Sequence, residues 1–518
     1  MGRSKLLKGA AYFLYASIFL LFFVVLFFNI PGVYVFSIPK QVLCFILGEI
    51  LFIGTFFLAR NKLKTTAFFA QFQQMDRPII VASLFVLFII QLLFVSQFYT
   101  QTGYDGFLVY RAGTNDTLWG LESAYFSSFP NNFLLLFLTH GIDRLNIFIG
   151  GGLNVYWVLV VINIIAVDTA IYLVYAITKK IFSHQLAVNA FVLAVVLLGL
   201  SPWLTSFYSD TLSMPIGLLV FYVYLKIKDE TKVSNQLLYG VALGSLLYFG
   251  FLIKPSAIFS GIAIIIIEVL MCNYRNFFKN IKKIVLCSSL TIAVVVGIYA
   301  IRLPYDYIVT HQNIVPYDAN ENFPFTHWMM IGMVEAEYRE NVIYGMITIE
   351  DYRLTQSIPG KEAKQKKNIE VIKERLKNFG VIGYLGYLWK KVVWILGDGT
   401  FFWGNEGPLV EPTQVPGIGQ VIQNVVYPTG AYYGYYVYLL QTVWFIVLFA
   451  LGISVFWLKK YMNKEFFIVS CTILGSIVFI LLFEGRSRYL MNNLGFYIII
   501  ASIGVQGIMN FIKKRIII

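Results

Sequence analysis

Runs of about 18 or more apolar residues recur from one end of this sequence to the other, and nothing else in it restricts the fold as hard. Each run is long enough to cross about 30 Å of hydrocarbon as a helix. Inside a bilayer an unpaired backbone N–H or C=O is costly, so such runs fold as helices, which close their hydrogen bonds within the segment. Of the 518 residues, 58% are hydrophobic and 13% charged, where soluble domains carry about 25% charged residues. The expected fold is therefore an all-α polytopic membrane protein.

The formal net charge of +13 would point a soluble chain toward nucleic acid. In a membrane protein it has a topological reading, because cytoplasmic loops collect Lys and Arg. Spans are expected at about 10–29, 38–59, 78–98, 153–178, 186–203, 211–227, 237–253, 256–272, 284–302, 432–457, 465–483 and 490–511. The first is too long for the apolar core of a signal peptide and is expected to remain as a span. Basic residues then fall inside at Lys5 and Lys8, Arg60 to Arg77, Lys179-Lys180, Lys226 to Lys232, Arg275 to Lys283, Lys459 to Lys464 and Lys513 to Arg515. That pattern requires about twelve crossings with both termini cytoplasmic, and it holds only if 131–150, interrupted by His140, Asp143 and Arg144, does not cross. Four units follow: 1–77 with two N-terminal spans, a membrane core at 78–302, an extracytoplasmic domain at 303–431, and C-terminal helices at 432–518. Within the domain, Gly360 to Asn378 reads as a solvated charged helix and Gly383 to Leu396 as an interfacial one. The four cysteines lie in or beside apolar runs without metal spacing, as small core residues do.

Four polar stretches meet on the outer side under this topology. The loop at 99–132 carries Asp105, Arg111, Asp116 and Glu122, and then Tyr125. Asp105 follows a span directly and can serve as a general base, although Asp105-Gly106 also suits a plain turn. Asp116 and Glu122 are rival acids, and Asn115-Asp116-Thr117 also looks like a helix start. Lys254 sits at the apex of an apolar hairpin, where an anionic partner such as a phosphate, or snorkelling to the interface, would offset its insertion cost. Glu484-Gly485-Arg486-Ser487-Arg488-Tyr489 places two arginines between apolar spans, suited to phosphate oxygens or to an internal ion pair with Glu484. The large loop adds His327, Trp328 and Asp398, where aromatic rings beside polar groups can wall a sugar or form part of the interfacial belt. The four histidines make no zinc motif, the metal ligands are unassigned, and a divalent cation on Asp105 with other loop oxygens is left open.

These pieces together resemble the GT-C membrane glycosyltransferases, especially the protein O-mannosyltransferase and aminoarabinose-transferase group. The shared features are Asp105 after a span, the aromatic-Pro helix at Tyr125 to Phe137, Ser201-Pro202 at a span end, Lys254-Pro255 in a hairpin, and Arg486 with Arg488-Tyr489 before the last span. Tyr125 to Asn132, Thr326 to Gly332 and Gly397 to Trp403 are similar to a Gram-positive, exosortase-associated branch. The resemblance implies a GT-C-like fold and a sugar donor on a polyprenyl phosphate, with Asp105 activating the acceptor. Lys254, Arg486 and Arg488 would hold the donor phosphate, with Arg111, Glu122, Tyr125, His327, Trp328, Asp398 and Tyr489 as further contacts. The acceptor could be a glycan, a teichoic acid, a lipid or a protein of the cell envelope. The chain departs from the group in its two extra N-terminal spans and in a single Asp where the mannosyltransferases pair two acids. The expected function is an inverting sugar transfer on the extracytoplasmic face of the cell membrane. The alternatives are a lipid or glycan flippase without chemistry, and a lipid-linked glycan polymerase or ligase using a pyrophosphate donor.

Overall fold

The computed structural model describes residues 2–27, 38–62, 77–101, 103, 105–114, 124–338, 341–406, 409 and 415–516. It is built of helices, with one two-stranded antiparallel hairpin, Glu335–Tyr338 paired with Asn341–Tyr344. Among the described residues, ten helices are long and apolar enough to cross a membrane. Nine of them fall where spans are expected; the tenth, Lys361–Gly397, is a difference. Its first half is the expected charged helix. A break at Gly380 (φ 60°, ψ 177°) then redirects the chain; Val381, Ile382, Leu385 and Trp389 after it are exposed, and the helix end from Lys391 to Gly397 is largely buried in the bundle. Trp394 and Leu396 are fully buried there, and the Trp444 indole N–H donates to the Leu396 carbonyl at 2.6 Å.

Three other expected spans are present as helices outside that group of ten. Ile38–Lys62 fills the second, while His184–Leu198 and Phe259–Met271 have 15 and 13 residues. The two short ones flank the proline-bearing turns Pro202–Thr205 and Pro255–Ile258, because proline lacks the N–H that would continue a ladder. Both turns lie next to charged site residues. Phe133–Phe148, expected not to cross, has 16 residues and is not among the ten.

The last helix, Leu494–Ile516, runs through the middle of the bundle: Phe496, Tyr497, Ile498, Ile499 and Ile500 are all fully buried. A helix apolar on every face is one surrounded by protein. Helices Val233–Ile253 and Ile281–His311 cross with their backbones in contact. A Cβ on Gly244 would lie 1.9 Å from the Val294 carbonyl oxygen, and one on Gly297 would lie 2.0 Å from that of Val241. Small residues permit this approach between lipid-facing helices. The N-terminal helix Gly2–Leu26 packs on the C-terminal ones, with the Tyr15 hydroxyl 2.9 Å from that of Ser470.

The two ends of the bundle differ. At one end, ion pairs Lys180–Asp229, Lys228–Glu465 and Lys464–Glu268 tie the short basic connections together, and Asn463 donates to the Ile181 carbonyl at 3.0 Å. The other end carries the polar turns around Asp105, Asp210, Lys254 and Arg488, with the described residues of 312–432.

Candidate active site

Asp105 is the first residue of helix Asp105–Gly113. Its Oδ1 accepts from the Tyr125 hydroxyl at 2.8 Å and its Oδ2 from the Tyr208 hydroxyl at 3.0 Å. Asn132 Nδ2 donates to the Tyr125 oxygen at 2.6 Å, which leaves the phenolic proton for the carboxylate. Burial, with the Asp105 charge second, pushes both phenols well above their ordinary value, so they act as donors.

Tyr208 and Asp210 reach this point because the stretch 201–208 is held from below. Asn163 Nδ2 donates to the carbonyls of Trp203, Leu204 and Ser206 at 3.1, 2.9 and 3.1 Å. The Thr205 hydroxyl donates to the Thr100 carbonyl at 3.0 Å while the Thr100 N–H donates back at 3.2 Å. Residues 100 and 205, which precede the two aspartates, are thereby fixed to each other.

Around Asp105 lies a buried ion network. Lys254 pairs with Asp210, and Arg488 Nη1 meets Asp210 at 3.1 Å. Arg488 Nη2 lies 3.1 Å from Glu406 and 3.9 Å from Asp105. Arg486 Nη1 donates to both Glu406 oxygens at 2.7 and 2.8 Å, and its Nη2 to Glu484 at 3.2 Å. Tyr489 donates to Glu484 at 2.9 Å, and its ring lies 4.3 Å from the Lys254 ammonium. Burial pushes the Glu406 carboxyl up, but the Arg486 and Arg488 guanidiniums outweigh it and hold the group below the ordinary glutamate value. Four carboxylates (Asp105, Asp210, Glu406, Glu484) face three cations (Lys254, Arg486, Arg488), so the fully ionised site has one net negative charge. Only Asp105, with 35% of its side chain exposed, is more than marginally accessible.

The turn bearing the arginines is suspended between elements. Glu484 N–H donates to the Trp328 carbonyl at 2.8 Å and Gly485 N–H to that of Gly345 at 2.9 Å. The Lys391 ammonium, fully buried, donates to the carbonyls of Gly332, Phe483 and Leu481 at 2.7, 2.6 and 3.2 Å. It thus serves the otherwise unpaired end of helix Lys464–Leu482, a charge-assisted cap.

Of the residues singled out in the sequence, Asp105, Tyr125, Lys254, Arg486, Arg488 and Tyr489 lie together in this network. Asp398 borders the site with both oxygens engaged: it accepts from Thr400 N and Oγ1, from Phe402 N at 2.8 Å, and from Ser487 Oγ at 2.5 Å. Trp328 contributes through its backbone, and its ring packs on Phe129 at 5.6 Å. His327 is buried with its Nδ1 2.8 Å from the Thr355 hydroxyl. Arg111 places its guanidinium over the Phe107 ring at 5.6 Å. Asp116 and Glu122 lie outside the described residues. Sequence reasoning missed Asp210, Glu406, Tyr208 and Asn132. Asp210 had a signal, an acid opening an apolar span that needs a cation; Glu406, in Gly404-Asn405-Glu406-Gly407, had none.

A family model described as "Conserved hypothetical integral membrane protein" matches residues 11–508, and no curated protein matches. Among solved structures, the oligosaccharyltransferase AglB from Archaeoglobus fulgidus, in complex with an inhibitory peptide and a dolichol-phosphate, is similar at TM-score 0.43 and 13% identity. That likeness covers 83% of this chain and 51% of AglB, so the chain spans about half its length. ArnT from Cupriavidus metallidurans, bound to undecaprenyl phosphate, is similar at TM-score 0.35 and 11% identity, over 83% of this chain and 77% of ArnT. Likeness of this degree leaves the chemistry to be argued from the chain's own residues.

Proposed function

The chain belongs to the conserved hypothetical integral membrane protein family, and we propose that it is a membrane glycosyltransferase with a GT-C-like fold. On this reading it moves a sugar from a polyprenyl-phosphate donor to a cell-envelope acceptor. The observation that carries the reading is one accessible carboxylate, Asp105, oriented by two tyrosine hydroxyls and backed by a buried arginine–lysine cluster. A flippase needs no such oriented base.

In this reading the lipid phosphate rests against Arg486, Arg488 and Lys254, and its sugar projects toward Asp105. The carboxylate takes the proton of an acceptor hydroxyl as that oxygen forms its bond to the anomeric carbon. The bond from that carbon to the phosphate oxygen breaks, and the electron pair leaves with the lipid phosphate. Negative charge grows on the phosphate in the transition state, where fixed cations in a dry site lower the barrier most. One displacement inverts the anomeric centre. Tyr125 and Tyr208 hold the carboxylate so that an oxygen faces the acceptor without reorienting.

Among the described residues no three His, Cys, Asp or Glu side chains group as a metal site, and the carboxylates at hand already face cations. A divalent cation on Asp105 stays a proposal for the assay to address with and without chelator. The extracytoplasmic placement is likewise proposed, supported by the basic connections gathered at the opposite end of the bundle.

Purified protein incubated with labelled polyprenyl-phosphate sugars and cell-wall or lipid acceptors should release lipid phosphate. Asp105→Asn should lower that rate by about 10²–10⁴-fold, the usual worth of a general base, with donor binding retained. An undiminished rate in that variant removes Asp105 from the chemistry. Movement of intact donor across vesicles without phosphate release would establish the flippase instead.

A further inference from the structure

Lys254, Arg486 and Arg488 each already face a carboxylate, and one of these carboxylates differs from the rest. Glu484 is also held by the Tyr489 hydroxyl, Asp210 by Lys254, and Asp105 by two tyrosines. Among the described residues, the Glu406 oxygens meet guanidinium groups alone: they accept hydrogen bonds from Arg486 Nη1 and form an ion pair with Arg488 at 3.1 Å. Arg486 reaches both of its oxygens and Arg488 reaches one, as two arginines converge on the oxygens of a phosphate.

Two independent features mark the same place. The Nε–H groups of both Arg486 and Arg488 are buried without an acceptor, although the two residues are only 7% and 3% exposed. A carboxylate offers two oxygens, whereas a phosphodiester offers two non-bridging oxygens and two bridging ones set around a tetrahedral centre. The chain also enters Glu406 through two consecutive non-glycine residues in the left-handed region, Phe401 (φ 52°) and Phe402 (φ 68°), followed by Gly404 (φ 81°). Left-handed backbone at such residues is unfavourable and persists where surroundings enforce it. Here Asp398 does so, by binding the N–H groups of Thr400 and Phe402.

Resting on the donor reading above, we infer that Glu406 is a stand-in for the donor phosphate, and that the arginines exchange it for a singly charged lipid phosphodiester. The exchange conserves charge. A polyprenyl-phosphate sugar carries one negative charge on its diester, the same as the carboxylate it displaces. The product, a phosphate monoester, carries about −1.5 to −2; it overfills the site, and the return of Glu406 favours its departure. A pyrophosphate donor would bring excess charge from the start, so the swap selects the monophosphate-linked class.

The test measures binding of a short-chain polyprenyl-phosphate glucose and of undecaprenyl pyrophosphate to detergent-purified full-length protein. Glu406→Gln and Glu406→Ala should bind the diester about tenfold or more tightly than wild type, a factor set by loss of a charged competitor. Pyrophosphate affinity should rise by more, because the variants have room for one more negative charge. In wild type, diester binding should increase hydrogen exchange across residues 402–406. Variants that melt like wild type yet bind the diester equally or more weakly overturn the exchange, while wild-type binding preserves the donor reading. Absence of binding in all three proteins overturns both. Should neither variant fold, wild-type exchange decides alone: unchanged protection of 402–406 with bound diester sinks the proposal.

Discussion

Asp105 and Asp210 both stand in the first turn of a helix, and their surroundings give them different work. Asp210, 2% exposed, is consumed by Lys254 and Arg488; Asp105 keeps a third of its surface and faces tyrosines that only donate. Breaking a buried pair strands the partner charge at a cost of about 3–5 kcal/mol, so Asp210 belongs to the scaffold as much as to the site. Asp105 could be singled out in the sequence because it directly follows a span, although Asp105-Gly106 suited a turn equally well. Glu406 could not, because its partner Arg486 lies 80 residues away, and Arg488 lies 278 from Asp210. Sequence shows charges but not which distant charge answers them. His327 offers a separate prediction. Burial pushes its imidazole down to about 3 from 6.5, so the folded chain keeps it neutral while an unfolded chain takes up a proton below 6.5. Stability from the neutral ring is fully present above about pH 6.5 and is lost as pH falls toward 3, by up to about 1.4 kcal/mol per pH unit. The thermal midpoint of wild type should therefore drop between pH 7 and 5, and His327→Gln should flatten that slope. An identical slope in the variant would assign the acid sensitivity elsewhere.

At the scale of elements, most helices were legible because length and apolarity alone specify a span. The helix Lys361–Gly397 is instructive. Its charged first half and aromatic-basic second half read as two surface helices, and Gly380 does divide them. Its last two turns are nevertheless buried, where Lys391 donates to the Gly332 carbonyl and to two carbonyls at the end of another helix. No local pattern announces that a lysine will serve as a cap for a distant element. The contact between Val233–Ile253 and Ile281–His311 is a simpler case, in which glycines at 244 and 297 remove the atoms that would keep the helices apart. Gly244→Ala places a methyl against the Val294 carbonyl and should destabilise by about 1–3 kcal/mol, the usual cost of overpacking. Its thermal midpoint should fall, whereas Gly386→Ala, with open space around the added Cβ, should leave it unchanged. Equal midpoints would mean that the two helices part without loss.

The whole molecule separates its charges by end, and this links fold to function. Lys180, Lys228 and Lys464 find acids on neighbouring connections at one end, while the seven-membered ion network gathers at the other beside residues 312–432. If the first end is cytoplasmic, as loop lysines favour, the network opens away from the nucleotide-sugar pool, and a lipid-borne donor becomes the natural substrate. Reversed, the same carboxylate would face soluble nucleotide sugars, and the phosphate-binding arginines would need a different explanation. Single cysteines in a background lacking Cys44, Cys272, Cys287 and Cys471 decide the matter. Lys367→Cys, on an exposed position of helix Lys361–Gly397, should react with a membrane-impermeant maleimide in intact cells. Lys460→Cys, exposed at the opposite end, should react only after lysis. The opposite labelling pattern would move Asp105 to the cytoplasmic side and remove the physical reason for a polyprenyl-phosphate donor, whatever the site's geometry.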